Sequence, residues 1–204
     1  MSLFVWPEPA TDFVSEVIAP EAYQTGCYFV FKGSDILLRF DTAGQWQPMG
    51  HAEAAQFNGT ASKVHYMGRM ADMPCFAVET AGLEGETFGG LRSLFGHTDN
   101  LTFSLAGRAV QIVDWYRSHQ FCGRCGLAAI EHSRDRAMIC EACKIHSYPR
   151  LSPSIIVLIH RQGEVLLARN QRFPQGMYST LAGFVEPGES IEETLIREVK
   201  EEVG

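Results

Sequence analysis

Apolar and polar residues follow three textures along the 204-residue chain. Through residue 103, short apolar runs alternate with turn formers: Tyr28-Phe29-Val30-Phe31, Ile36-Leu37-Leu38-Arg39-Phe40 and Cys75-Phe76-Ala77-Val78, with Lys32-Gly33-Ser34-Asp35 and Asp41-Thr42-Ala43-Gly44 as breaks. That pattern predicts short antiparallel strands. Next, Leu105, Ala109, Ile112, Val113 and Tyr116 recur at helical spacing. They predict an amphipathic helix over 104–118, capped by Ser104 and packing between domains. From Tyr148 onward the continuous run Ile155-Ile156-Val157-Leu158-Ile159 predicts a strand buried on both faces. A turn at Arg161-Gln162-Gly163 folds it into a hairpin with Glu164–Ala168. Thr180–Val185 is another strand candidate, and Glu186-Pro187-Gly188-Glu189 turns the chain into a last helix. Ser190 and Glu193 form a capping box there, and Ile191, Leu195, Ile196, Val199 and Val203 make an apolar stripe suited to packing on a sheet.

These textures divide the chain into a β-rich N-terminal domain over 1–118, a cysteine region over 119–147 and a C-terminal domain over 148–204, an α+β organisation. The composition, 46% hydrophobic and 20% charged, is that of a globular protein and excludes collagen-like, disordered and coiled-coil classes. No apolar stretch is long enough to predict a membrane span. Met1–Glu8 lacks a basic segment followed by a long apolar one, so a cytoplasmic protein is expected. The net charge of -7 argues against tight, nonspecific binding to a nucleic-acid backbone. It is concentrated in residues 183–204, where seven glutamates face Arg197 and Lys200. Such a run is either a solvated face or a set of hard oxygen ligands for a divalent cation.

Of the six cysteines, Cys122, Cys125, Cys140 and Cys143 form two Cys-x2-Cys pairs with fourteen residues between them. Each pair places two thiolates on one side of a tight turn, with Gly123 and Gly126 easing the backbone. A hairpin that joins the turns supplies four sulfurs to Zn²⁺. Four thiolates leave no open coordination position, so the zinc would be structural. A redox pair or a disulfide is the alternative. His119, His132 and His146 read as surface histidines. The charges of 119–150 (Arg124, Arg134, Arg136, Lys144 and Arg150 against Glu131, Asp135 and Glu141) leave only a weak footprint for nucleic acid. Cys27 and Cys75 have no partner by spacing and read as buried thiols.

On the last helix, Glu198 and Glu202 stand about 40° apart and Glu201 about 60° from Glu198. Three carboxylates this close repel one another unless a cation intervenes. Arg197 can pair with Glu201 one turn on, and a divalent cation can take the others. The order of these parts is more specific than any of them alone. Gly183, five residues, Glu189, seven residues, then Arg197-Glu198-Val199-Lys200-Glu201-Glu202-Val203-Gly204 matches the Nudix box G-x5-E-x7-R-E-U-x-E-E-x-G-U up to its last position. The chain therefore resembles the Nudix hydrolases.

The four-cysteine ribbon, Tyr148-Pro149-Arg150, Ser154-Ile155-Ile156, the segment Leu105-Ala106-Gly107-Arg108-Ala109 and Leu181-Ala182-Gly183-Phe184-Val185-Glu186 narrow this to a resemblance to the NADH pyrophosphatase family. The resemblance covers roughly residues 90–204 well and the first ninety loosely. It implies a Nudix α/β/α sandwich that is incomplete at Gly204. The family's Ser-Gln-Pro-Trp-Pro-Phe-Pro signature and a further metal-binding glutamate would lie beyond that residue.

The implied activity is cleavage of the pyrophosphate of NAD(H) to AMP and nicotinamide mononucleotide, with NAD-capped RNA a further substrate. The alternatives are another dinucleotide or nucleotide sugar, or a noncatalytic nucleotide- or RNA-binding module. By the same resemblance Glu198 and Glu202, with the backbone carbonyl of Ala182, would hold Mg²⁺ or Mn²⁺. Glu201 would be a further ligand or the group that takes a proton from water, and Glu189 and Arg197 would orient the others. Phe184 and Tyr148 match rings that hold a nucleotide, with core packing as the alternative for each. Arg92 matches an arginine that reaches substrate from the N-terminal domain. The family is commonly homodimeric.

Overall fold

In the computed structural model, residues 13–204 are described, apart from Asn58 and Leu83. The segment Met1–Glu8, read above for the absence of an export signal, lies outside the described residues. The chain forms two compact units, Met1–Pro149 and Arg150–Gly204.

The first unit is built on strands β1 (Phe13–Ser15), β2 (Cys27–Lys32), β3 (Asp35–Leu37), β4 (Met49–Gly50), β5 (Ala61–Met70), β6 (Met73–Thr80) and β7 (Phe88–Gly89), with a short helix α1 (His51–Ala54). They form one sheet in the order β1-β5-β6-β2-β3-β7, with β4 also on β2. Most neighbours are antiparallel, as the short runs between turns predict, but β2 and β6 pair in parallel. The chain leaves β2 and returns to its side only after crossing through β5, so the two strands enter from the same end. Cys27 sits opposite Cys75 in that register, and both are buried. The two thiols without a partner by spacing are therefore neighbours in the sheet.

Strand β2 is buried on both faces. Phe29 and Phe31 face helix α2 (Asn100–Ser118) and pack with Leu105, Ala109, Ile112 and Val113, while Tyr28 and Val30 join Phe57, Phe76 and Val78 on the opposite side. Helix α2 starts four residues before the expected boundary. The Asp99 carboxylate accepts hydrogen bonds from the Thr102 amide at 3.0 Å and its hydroxyl at 2.6 Å, which makes Asp99 the N-cap. Ser104 is inside the helix, and its hydroxyl donates to the Asn100 carbonyl. The helix is part of this unit's own core.

Strands β8 (Ile130–Glu131), β9 (Met138–Cys140) and β10 (Ile145–Ser147) form a small antiparallel sheet, the ribbon, in the order β10-β9-β8. It is fastened to the larger sheet and to α2. Arg136 donates to the carbonyls of Tyr66 (2.9 Å) and Glu16 (2.7 Å), the Trp115 indole N–H donates to the Ser147 carbonyl (2.9 Å), and Lys63 pairs with Glu131 (2.6 Å).

In the second unit, β11 (Ser154–Val157) pairs antiparallel with β14 (Leu181–Phe184), and β12 (Ile159–Arg161) pairs with β13 (Glu164–Leu166). Gln162 and Gly163 both have positive φ, 48° and 85°, between Arg161 and Glu164. That is the two-residue turn whose twist suits a hairpin.

The expectation of a strand buried on both faces fails here. Ile155 is 7% exposed, but Ile156 is 77% and Leu158 48%. The strand partner of β11 is β14, and the described residues cover one face of this pair. Helix α3 (Ile191–Val203) tells the same story. Its stripe residues Ile191, Leu195, Ile196 and Val203 are exposed, and Thr194 is the side chain that is buried. An apolar stripe is a tendency of the helix; burial needs a surface to meet it.

Candidate metal centre and acidic site

The two cysteine pairs adopt the same local geometry. After each second cysteine the backbone turns left-handed, at Gly126 (φ +75°) and Lys144 (φ +57°). Each of these residues donates its amide back to the first cysteine's carbonyl: Gly126 to Cys122 at 2.8 Å and Lys144 to Cys140 at 2.7 Å. The conformational freedom is needed at Gly126 and not at Gly123, which has no positive φ. Folding of the ribbon brings the sulfurs of Cys122, Cys125, Cys140 and Cys143 within 4.8 Å of one another, with Cys125 and Cys140 at 3.6 Å. Tetrahedral thiolates about 2.3 Å from Zn²⁺ lie about 3.8 Å apart, so the set fits that ion.

Ionisation of the sulfurs is in conflict without a cation. Backbone amides of Cys125 and Arg124 pull the Cys122 thiol down to about 6, while the neighbouring sulfurs, Cys125 first, push Cys143 up to about 12. Among the described residues no histidine joins the cluster. The His119 ring bonds to the Trp115 carbonyl at the end of α2, and His132 accepts the Asp135 amide.

The acidic site is organised by the start of α3. Ser190 caps the helix: its hydroxyl accepts the Glu193 amide at 3.2 Å, and the Glu193 carboxylate accepts the Ser190 amide at 2.8 Å. Glu189, just before the cap, receives the Glu186 amide (3.0 Å), the Thr194 hydroxyl (2.9 Å) and two Arg197 donors, Nε at 2.6 Å and a terminal nitrogen at 2.9 Å. The Arg197 guanidinium, followed by the Glu186 amide, holds the Glu189 carboxyl down at about 2.

Arg197 reaches further than its predicted partner. Besides Glu201 at 3.3 Å it contacts Glu198 at 2.9 Å and donates to the Phe184 carbonyl on β14 at 2.9 Å. Its own proton is held more tightly than usual, first by Glu189 and then by Glu198. Spacing on one helix could find Glu201. The Glu189 and Phe184 contacts needed the turn that lays α3 on β14. A Cβ at Gly183 would collide with the Glu198 carboxylate, so the glycine is what lets Glu198 stand against the strand, beside Ala182. Glu202 lies on the same helix with its side chain exposed.

The remaining candidates fall in different units. Phe184, on β14, is 65% exposed, and Tyr148, in the N-terminal unit, is 53% exposed with its ring parallel to His146 at 6.3 Å. Neither ring is packed in a core. Arg92 is exposed on the short turn Leu91–Leu94 of the N-terminal unit. Thr194 was missed from the sequence because a threonine inside an apolar stripe reads as a neutral filler.

Three family models match successive stretches of the chain. Residues 25–115 match the model of the NADH pyrophosphatase-like rudimentary NUDIX domain, 117–148 the NADH pyrophosphatase zinc ribbon domain, and 149–204 the NUDIX domain. Among curated relatives, a protein of Pseudomonas fluorescens (strain Pf0-1) named NAD-capped RNA hydrolase NudC is 49% identical over 142 residues, 68% of this chain and 51% of the relative. Proteins of the same name from Pseudomonas putida (strain F1) and Stutzerimonas stutzeri (strain A1501) are each 48% identical, with the same coverage. The chain thus spans about half the length of the curated relatives it matches.

Proposed function

The chain belongs to the zinc-ribbon NADH pyrophosphatase family of Nudix proteins, and from that premise we propose that it is part of a hydrolase of NAD(H), giving AMP and nicotinamide mononucleotide, that also removes NAD caps from RNA. The observation that carries the reading is the Arg197 fork. One guanidinium ties Glu189, Glu198, Glu201 and the β14 backbone into a single cluster. The relatives' name, NAD-capped RNA hydrolase, supports the choice of substrate.

The roles follow from the chemistry of each group. Glu198 and Glu202, with the Ala182 carbonyl, suit a divalent cation, Mg²⁺ or Mn²⁺; when bound, that ion neutralises pyrophosphate oxygens and activates water. Glu201 is tied to Arg197 through one oxygen, which supports its reading as the group that takes a proton from water, or else as a further ligand. Glu189, which accepts hydrogen bonds at both oxygens, is neither ligand nor base; it steers Arg197. Phe184 and Tyr148 present exposed rings suited to stacking on a base or the nicotinamide, and Arg92 to a phosphate. The four cysteines hold zinc for structure alone. Assembly as a homodimer, implied by the family resemblance, and residence in the cytoplasm, expected from the N-terminal sequence, belong to the same proposal.

The test is hydrolysis of NADH and of a 5′-NAD-capped RNA by the purified protein with Mg²⁺ or Mn²⁺, product identity being read by chromatography. Expected are AMP and the reduced mononucleotide from NADH and a 5′-monophosphate RNA from the capped one, both lost in Glu198→Gln. Turnover that survives Glu198→Gln, or cleavage of a nucleotide sugar in preference to both substrates, would overturn the reading.

A further inference from the structure

The geometry points to Thr194 as a positioning residue of the acidic site: its buried hydroxyl locks the Glu189 carboxylate into the Arg197 fork and so sets where Glu198 and Glu201 stand. This rests on the reading of α3 as the metal-binding helix of a pyrophosphate hydrolase.

Thr194 is fully buried, with 0% of its surface exposed, on a helix whose stripe residues Ile191, Leu195, Ile196 and Val203 are exposed. Its hydroxyl lies 2.9 Å from Glu189 Oε2 and 3.0 Å from the Ser190 carbonyl. A hydroxyl has one proton to donate, and the Ser190 carbonyl already accepts the Thr194 amide at 3.0 Å. The ionised carboxylate is the stronger claimant, because a hydrogen bond to a charged acceptor is worth about twice a neutral one. Threonine in a helix has few side-chain rotamers, so the hydroxyl is held in place rather than sampled.

With that bond made, Glu189 Oε2 accepts from Glu186, Thr194 and Arg197, while Oε1 accepts from Arg197 Nε. Three donors crowd Oε2, and Oε1 takes the shortest of the four bonds, from Arg197 Nε at 2.6 Å. Glu189 is thereby committed to its donors, and Arg197 has one direction for its remaining terminal nitrogen. That nitrogen is the one that meets Glu198 and Glu201. Take the hydroxyl away, and Glu189 can swing on its remaining bonds while Arg197 loses its fixed stance.

The experiment compares Thr194→Val, which keeps shape and loses the hydroxyl, with Thr194→Ser, which keeps the hydroxyl, in the zinc-loaded protein. Two quantities are read: Mn²⁺ affinity by electron paramagnetic resonance, and kcat and KM for NADH. Thr194→Val is expected to weaken Mn²⁺ binding and lower kcat, each about tenfold, as loss of an outer-shell partner does, with KM within about twofold. Thr194→Ser is expected to restore both. Wild-type Mn²⁺ affinity and kcat in Thr194→Val would overturn the inference, as would a serine variant as impaired as the valine one, since that marks a packing role for the methyl group.

Should Thr194→Val lose its helical signal, Thr194→Ala, with the better helix former, takes its place under the same criteria. The two readings separate cleanly. A wild type that binds Mn²⁺ in a Thr194-dependent way yet leaves NADH intact keeps the positioning role and refutes the hydrolase. A wild type that turns over NADH with no Thr194 dependence does the reverse.

Discussion

Two clusters of anion-forming groups in this chain resolve the same electrostatic problem in opposite ways. The ribbon gathers four sulfurs within 4.8 Å, and among the described residues no histidine joins them. The acidic helix gathers Glu189, Glu198 and Glu201 around a cation of its own, Arg197. A cluster without an internal cation depends on an external one to form at all, which is the mark of a structural metal. A cluster with one is pre-assembled before any metal arrives. The first kind of arrangement suits fixing a fold; the second suits chemistry.

Removing zinc is the sharpest way to break the comparison. Structural zinc contributes on the order of 10 kcal/mol or more to folding of its module, so chelation or Cys140→Ser is expected to unfold the ribbon. Because Arg136 and Glu131 tie the ribbon to the N-terminal sheet and Trp115 ties it to α2, the melting temperature of that unit should fall as well. Protection of β5 and β9 amides in hydrogen exchange is the measurement. Loss confined to the ribbon would show that the ties carry little. The acidic cluster on α3 should survive this treatment.

Arg197→Met attacks the other cluster. It leaves Glu189, Glu198 and Glu201 without their shared cation, and kcat for NADH is expected to fall by about a hundredfold, in the range seen for loss of an outer-shell partner. Arg197→Lys should recover only part, because a point charge cannot make the fork on Glu189. A lysine variant with full activity would mean that charge alone matters there.

Acid separates the clusters by pH. Glu189 is held at about 2 in the folded protein against an ordinary 4.5. A depressed carboxyl contributes stability that is present above its ordinary value and is lost as pH falls from 4.5 toward 2. Thermal melts of the wild type and Glu189→Gln should therefore differ most at neutral pH and converge in that window. Thiols must be deprotonated to hold a metal and carboxylates ionise at lower pH, so metal release from the ribbon is expected to begin at a higher pH than loss of the Glu189 contact. Metal release monitored with a zinc indicator during the same titration gives the order.

The smallest expected effect is at the helix start. Ser190→Ala removes one cap hydrogen bond and should cost about 1 kcal/mol of stability. Its effect on kcat should be slight, because Glu189 keeps its bonds to Glu186 and Arg197. A large loss of activity would mean that the cap itself aims Glu189.

Much of this was legible along the chain, where the physics is local. Cys-x2-Cys turns, the capping box at Ser190 and the Gln162-Gly163 turn each depend on residues within one or two turns of backbone, so spacing alone predicts them. The start of α2 was misread for the same kind of reason. Asp99 and Ser104 are both good caps, and what decided between them was Thr102, which bonds Asp99 through both its amide and its hydroxyl. Burial was the less legible quantity. The run from Ile155 to Ile159 and the stripe of α3 have the composition of covered surfaces, yet Ile156 and Ile196 are exposed, because burial belongs to a pair of surfaces and not to one segment.

By itself, then, the sequence determined the metal ligands of the ribbon, the carboxylates of α3 and the family to which their order belongs. Those features are written in the kind and spacing of neighbouring residues. Tertiary structure alone decided that Cys27 lies beside Cys75 on parallel strands, that Arg197 answers first to Glu189 and the Phe184 carbonyl, and that Thr194 is the buried hydroxyl that meets Glu189. Each of those contacts joins residues whose separation along the chain carries no period. It is fixed only when β14 and α3, or β2 and β6, are brought together by the burial of what lies between them.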